Sequence, residues 1–79
     1  MTKESIFDLI VKHTREILPE LETHAFRPED KLEDLGANSM DRAEITMLTM
    51  EALDIKRPRA EFHGPSNLGH LVDMFHAKL

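Results

Sequence analysis

Leu35-Gly36-Ala37-Asn38-Ser39-Met40-Asp41-Arg42-Ala43-Glu44-Ile45, running on as Thr46-Met47-Leu48-Thr49-Met50-Glu51-Ala52-Leu53, is a loop end followed by a helix. Gly36 frees the backbone for a turn. Asn38 is a strong N-cap residue, and Asp41 three positions on completes a capping-box-like pair. The helix is expected over 39–53, with Ser39 in its first turn. At about 100° per residue, Ile45, Leu48, Thr49 and Ala52 share one side, with Leu53 at its edge. This is the expected core face. Met40, Ala43, Met47 and Met50 fall roughly opposite, flanked by Arg42, Glu44 and Glu51. A helix on the outside of a small bundle needs one apolar face. Methionine is adaptable and is over-used on surfaces that accept several partners. The second stripe therefore reads as a docking surface beside Ser39. A central helix buried on both sides would give the same pattern.

The rest of the chain supplies the elements against which that helix packs. Residues 3–18 read as a helix capped by Thr2, with Glu4 in its positive first turn. Its apolar positions are Ile6, Phe7, Ile10, Thr14, Ile17 and Leu18, and Pro19 stops it. Residues 19–38 read as a long connection anchored by Leu21, Phe26, Leu32 and Leu35, with a helical turn before Gly36. Connections this long are often functional. Residues 54–64 form a basic linker containing Lys56, Arg57 and Arg59, with one short helical turn opened by Pro58. Residues 66–78 read as the last helix, capped by Ser66 or Asn67, with Leu68, Leu71, Val72, Phe75 and Leu79 facing inward. The expected fold is all-α, a small four-helix bundle of three main helices and one short one, with residues 1–79 forming a single domain.

Charge and composition exclude several classes. The net charge is −5. Residues 19–37 carry two basic and six acidic side chains, and 38–54 carry one and four, whereas 55–79 carry four and two. An acidic middle repels nucleic acid phosphates and favours partners with basic surfaces. No apolar run approaches the roughly 20 residues a bilayer span requires. The polar start Met1-Thr2-Lys3-Glu4-Ser5 does not read as a signal peptide, and the cytoplasm is the expected location. The chain has no cysteine, which removes thiolate metal sites and a protein-borne thiol nucleophile. The histidines, at 13, 24, 63, 70 and 76, lack metal-ligand spacing, and the acidic loop lacks calcium-loop spacing. No metal or catalytic residue is expected.

A serine at a helix start is usually only a cap. Here Asn38 already fills that role, so the Ser39 hydroxyl is expected to be exposed. A phosphate ester on it would face the unpaired N–H groups of the first turn.

Residues 35–45, the upstream run Asp30-Lys31-Leu32-Glu33-Asp34 and the order of elements over the whole chain resemble the acyl carrier proteins. That family's attachment motif reads Leu-Gly, any residue, Asp-Ser-Leu, then Glu-Leu shortly after. The resemblance implies a non-catalytic carrier with Ser39 as the phosphopantetheine attachment point. It also implies loading by a phosphopantetheinyl transferase, an acyl thioester on the arm's thiol, and a monomer. Asn38 stands where the family usually has Asp, which bears on loading or on the choice of transferase. By position, Met40, Glu44, Met47 and Glu51 match partner-facing places of the second helix. With Asp41, Ala43 and Met50 they form the expected docking set. The Asn38–Ile45 motif followed by Met47 and Met50 is similar, more narrowly, to the donor carriers of polyketide β-branching. That likeness implies acetyl or malonyl cargo, an acyltransferase, a ketosynthase-like decarboxylase and a hydroxymethylglutaryl-CoA (HMG) synthase-like enzyme as partners. The alternatives are a peptidyl, aminoacyl or other-pathway carrier, and a helical interaction domain that carries nothing.

Overall fold

The computed structural model describes residues 1–62, 64 and 67–79. Helix α1 spans Lys3–Ile17, α2 spans Ser39–Ala52 and α3 spans Leu68–His76, with 3₁₀ turns at Pro19–Leu21 and Arg59–Phe62. The described residues contain no strand. The expected short helix is the second 3₁₀ turn. His63 and the expected Ser66 cap lie outside the described residues.

α1 packs against both α2 and α3. Thr2 caps α1 through its side chain, accepting from the Ser5 N–H. Ile6 and Ile10 of α1, Ile45 of α2 and Phe75 of α3 are fully buried, and Phe62 of the second 3₁₀ turn stacks on Phe75 at 4.6 Å. Full burial of each such side chain contributes about 1.5–3 kcal/mol. The α1–α2 seam also holds polar groups. His13 Nδ1 lies 2.9 Å from Thr49 Oγ1, and Thr49 donates its own proton to the Ile45 carbonyl. The single hydroxyl proton is thereby committed, so His13 Nδ1 must be the donor. Burial pushes the His13 pKa down.

The long connection is fastened at both ends. Arg15 donates to the His24 carbonyl at 3.0 Å and lies over the Phe26 ring, while His24 Nε2 meets Asp30 Oδ2 at 3.0 Å. At the other end the loop completes the start of α3. A helix leaves its first four N–H groups without internal partners. In α3, Leu68 and Gly69 donate to the Asp30 and Pro28 carbonyls, and His70 donates to Asn67 Oδ1. Gly69 permits this approach, since a Cβ there would stand 3.3 Å from that of Pro28.

Three expectations about inward faces need correction. Ala52 is exposed, and the second buried position beside Ile45 is Thr46, which donates to the Arg42 carbonyl. Leu79 is 55% exposed and lies beyond the end of α3, which stops at His76. Met50 is buried in the core cluster rather than standing on the outer stripe. Its burial follows from how α2 ends. Asp54 takes a left-handed conformation with φ of 54°, its N–H bonds to the Glu51 carbonyl, and the Ile55 N–H bonds to the Met50 carbonyl. This is the Schellman pattern, in which apolar residues at the two ends of the longer bond come together. Met50 and Ile55 hold those positions, and both belong to the core.

Candidate functional site

The site is built where the loop enters α2. Residues 32–37 close a second Schellman turn: Ala37 N–H bonds to the Leu32 carbonyl, Gly36 N–H to that of Glu33, and Gly36 has φ of 101°. Leu32 and Ala37 are buried and anchor the turn. Arg42 then reaches back and donates to the Ala37 carbonyl at 2.8 Å. The capping box is complete. Asn38 Oδ1 accepts from the Asp41 N–H at 2.8 Å, and Asp41 Oδ2 accepts from the Asn38 N–H at 3.2 Å.

Ser39 is therefore the first residue of α2 but not its cap, and it is exposed. Among the described residues its side chain has no hydrogen-bond partner, and neither do the N–H groups of Ser39 and Met40. The corresponding groups of α3 are taken by loop carbonyls. Those of α1, at Lys3 and Glu4, are open but carry no hydroxyl. At α2 a hydroxyl bonded to no described residue stands beside two open donors at the positive end of a helix, whereas the Thr2 and Ser5 hydroxyls at the start of α1 are bonded to each other. An anion attached to Ser39 Oγ would be stabilised by those donors and by the helix dipole. The residues present thus fit a phosphate-linked arm on Ser39.

Past Ser39, the exposed side of α2 carries Met40 at 79% exposure and Met47 at 50%, with Glu44 and Glu51 exposed and Asp41 and Ala43 half-buried. Six of the seven expected docking positions keep some exposure, and Met50 is the exception. In the sequence Arg42 stands only as a charge flanking the methionine stripe. Its bond to Ala37 O, which fixes the loop ahead of Ser39, had no signal in periodicity.

A cavity of about 260 Å3 opens between the loop, α2, the second 3₁₀ turn and the start of α3. Ala43 and Thr46 line it from α2. They lie four and seven residues beyond Ser39, and so on the same side of the helix. Leu32, Phe62, Leu68 and Leu71 form apolar wall, and Lys31, Arg42, Arg59 and Glu33 bring charge. Thr46 was legible in principle from its spacing to Ser39. The walls contributed by the loop and the 3₁₀ turn depend on tertiary packing.

Among the described residues there is no cluster of three metal-ligating side chains, and no helix is long and apolar enough to cross a membrane. The basic linker is largely self-neutralised. Arg57 forks onto Glu61, which also meets Lys78 at 3.2 Å. These cations hold the Glu61 carboxyl below its ordinary pKa, the Arg57 hydrogen bond most of all. Among the described residues Arg59 has no such partner.

No protein-family model matches the chain. The polyketide biosynthesis acyl-carrier protein AcpK of Bacillus subtilis (strain 168) is 44% identical over 79 residues, covering 100% of this chain and 96% of that protein. A chain in the crystal structure of the curacin biosynthetic pathway HMG synthase in complex with acetyl donor acyl carrier protein is 49% identical. It superposes with a TM-score of 0.96, covering 99% of this chain and 100% of that one.

Proposed function

The chain belongs to the acyl carrier proteins of polyketide biosynthesis, and from that membership we propose that Ser39 bears the phosphopantetheine arm from which an acyl group is delivered to an HMG synthase-like enzyme. The observation that carries the assignment is the Ser39 hydroxyl itself: exposed, not used by the cap, and beside two open N–H groups. The arm supplies a thiol, and a thiol is what this cysteine-free chain lacks for holding a thioester.

The protein's own part is presentation. Asn38 and Asp41 fix the first turn of α2, and Arg42 fixes the loop before it, so the attachment point is held on a rigid element. Met40 and Met47 provide apolar contact for a partner, and Asp41, Glu44 and Glu51 frame it with negative charge. Charge complementarity of this kind sets register and encounter rate more than raw affinity. The partners in this reading are a phosphopantetheinyl transferase, an acyltransferase supplying malonyl, a ketosynthase-like decarboxylase that converts it to acetyl, and the synthase. The cytoplasm is the place of action.

The test is intact mass after incubation with coenzyme A and a broad-specificity phosphopantetheinyl transferase. A gain of one phosphopantetheine, absent in Ser39→Ala, is expected. Acetyl transfer from the loaded protein to an HMG synthase-like enzyme then tests the delivery step. No mass gain with several transferases would refute the assignment of Ser39.

A further inference from the structure

The rim of the cavity beside Ser39 is cationic in a protein that is not. Lys31, Arg42 and Arg59 line it against one acid, Glu33, while the chain as a whole carries −5. Below the rim the wall is apolar, with the Thr46 hydroxyl already donating to its own helix. An apolar acyl chain needs no cations, and the arm's phosphate would sit at Ser39, at the start of α2. Ala43 and Thr46 lie about 6 and 10 Å further along the helix axis, at 1.5 Å per residue. A ligand matched to these features reaches the cavity from the Ser39 side and ends in an anion.

We propose that the cavity holds the acyl group of the loaded protein when that group ends in a carboxylate, as malonyl does, and that Arg59 and Lys31 are the residues that select it over a neutral acyl group. This rests on the carrier reading above and concerns the state of the cargo between partners. At roughly 30 Å3 per water-sized group, 260 Å3 holds about eight or nine such groups, enough for a three-carbon diacid but not for a long chain. Arg42 is pinned by its bond to Ala37 O and presents its remaining donors without further ordering. Arg59 comes from the second 3₁₀ turn, opposite α2, so the carboxylate bridges two walls of the cavity. When the C–C bond to the carboxylate breaks, CO2 leaves, the α-carbon takes up a proton from solvent or the decarboxylating partner, and the neutral acetyl group has no anion to hold it in the cavity. The cavity thus shelters the cargo before decarboxylation and lets the acetyl product out for transfer.

The experiment compares amide spectra of the full chain as the phosphopantetheine form and as the acetyl, propionyl and malonyl thioesters, each confirmed by intact mass. Propionyl matches malonyl in carbon count without the charge. Malonyl is expected to shift the amides of Ala43, Thr46, Phe62 and Leu71, with propionyl and acetyl resembling the unacylated arm. Arg59→Gln and Lys31→Gln are surface changes that leave the core intact. Each is expected to lower the bound population by roughly 1.5- to 5-fold, the range for one exposed charge pair, and raised salt to lower it further. Coincident malonyl and propionyl spectra in a protein shown by mass to be loaded would overturn this inference and leave the carrier reading standing. Equal malonyl shifts in Arg59→Gln, Lys31→Gln and the unsubstituted chain would overturn the selecting role of the rim. A chain that takes up no arm would overturn both.

Discussion

Truncating Met50 and Met47 to alanine, one at a time, separates a core residue from a docking residue three positions apart on one helix. Met50 is 9% exposed and closes the Schellman turn with Ile55, whereas Met47 is 50% exposed. Removing a buried methionine side chain costs about 2–5 kcal/mol, and a site at the edge of the core relaxes enough to place Met50→Ala near the low end, at about 2–3 kcal/mol. A domain of 79 residues has about 4–12 kcal/mol in all. At this size each kcal/mol moves the melting temperature by about 4–8 °C, so Met50→Ala is expected to melt some 10–20 °C lower. Met47→Ala, a surface change, is expected within about 0.5 kcal/mol of the parent.

Binding reverses the order. Met47→Ala is expected to weaken association with an HMG synthase-like enzyme by more than about 1 kcal/mol, a fivefold or greater rise in Kd, if Met47 is an anchor of that contact. Met50→Ala, measured well below its melting point, is expected to bind nearly as the parent does. Thermal unfolding by circular dichroism and titration calorimetry read the two effects. Equal losses of melting temperature in both variants would refute the division of α2 into a core side and an outer side.

Ser39→Ala is expected to abolish loading by mass and to leave the melting temperature within about 3 °C, since Asn38 and not Ser39 caps the helix. Asn38→Ala removes the bond to the Asp41 N–H and is expected to cost about 1 kcal/mol. Asp54→Val places a β-branched residue at φ of 54° and is expected to destabilise by about 1–2 kcal/mol in chemical denaturation, with Asp54→Gly neutral or better. The pH dependence has a definite sign. His13 has its pKa lowered from 6.5 by burial, so the unfolded chain takes up the proton first. Stability from this residue is present above about pH 6.5 and is lost as pH falls toward the folded value. Asp30 is lowered from 3.8, chiefly by the Arg27 backbone N–H and then by His24, so its contribution is present above 3.8 and lost below it. The melting temperature is expected to fall between pH 7 and 5.5, and His13→Gln to flatten that fall.

What could be read before folding was whatever depends on neighbours along the chain. Thr2, Asn38 and Gly36 announce their caps and turn by residue type, and the structure uses all three as expected. The exposure of Ser39 followed from the same logic, because a cap supplied by Asn38 leaves the next hydroxyl free. Periodicity failed where the far end of α2 meets another element. A helical wheel assigns Met50 and Ala52 by angle alone, but the Asp54 turn folds Ile55 back onto Met50 and leaves Ala52 outside. The wheel also treats Thr46 as polar and neutral, although a threonine can bury itself by donating to the carbonyl one turn back, as Thr46 does to Arg42. The cavity depended on Lys31, Arg42, Arg59 and Phe62, drawn from a loop, a helix and a 3₁₀ turn. In sequence, Arg57 and Arg59 belong to one basic run. Only the fold divides them, giving Arg57 to Glu61 and setting Arg59 between the cavity and the groove beside Met47 and Glu51. The net charge of a segment is therefore a poor guide to the charge a partner or a cargo meets. At this site that charge is set by which cations the fold neutralises.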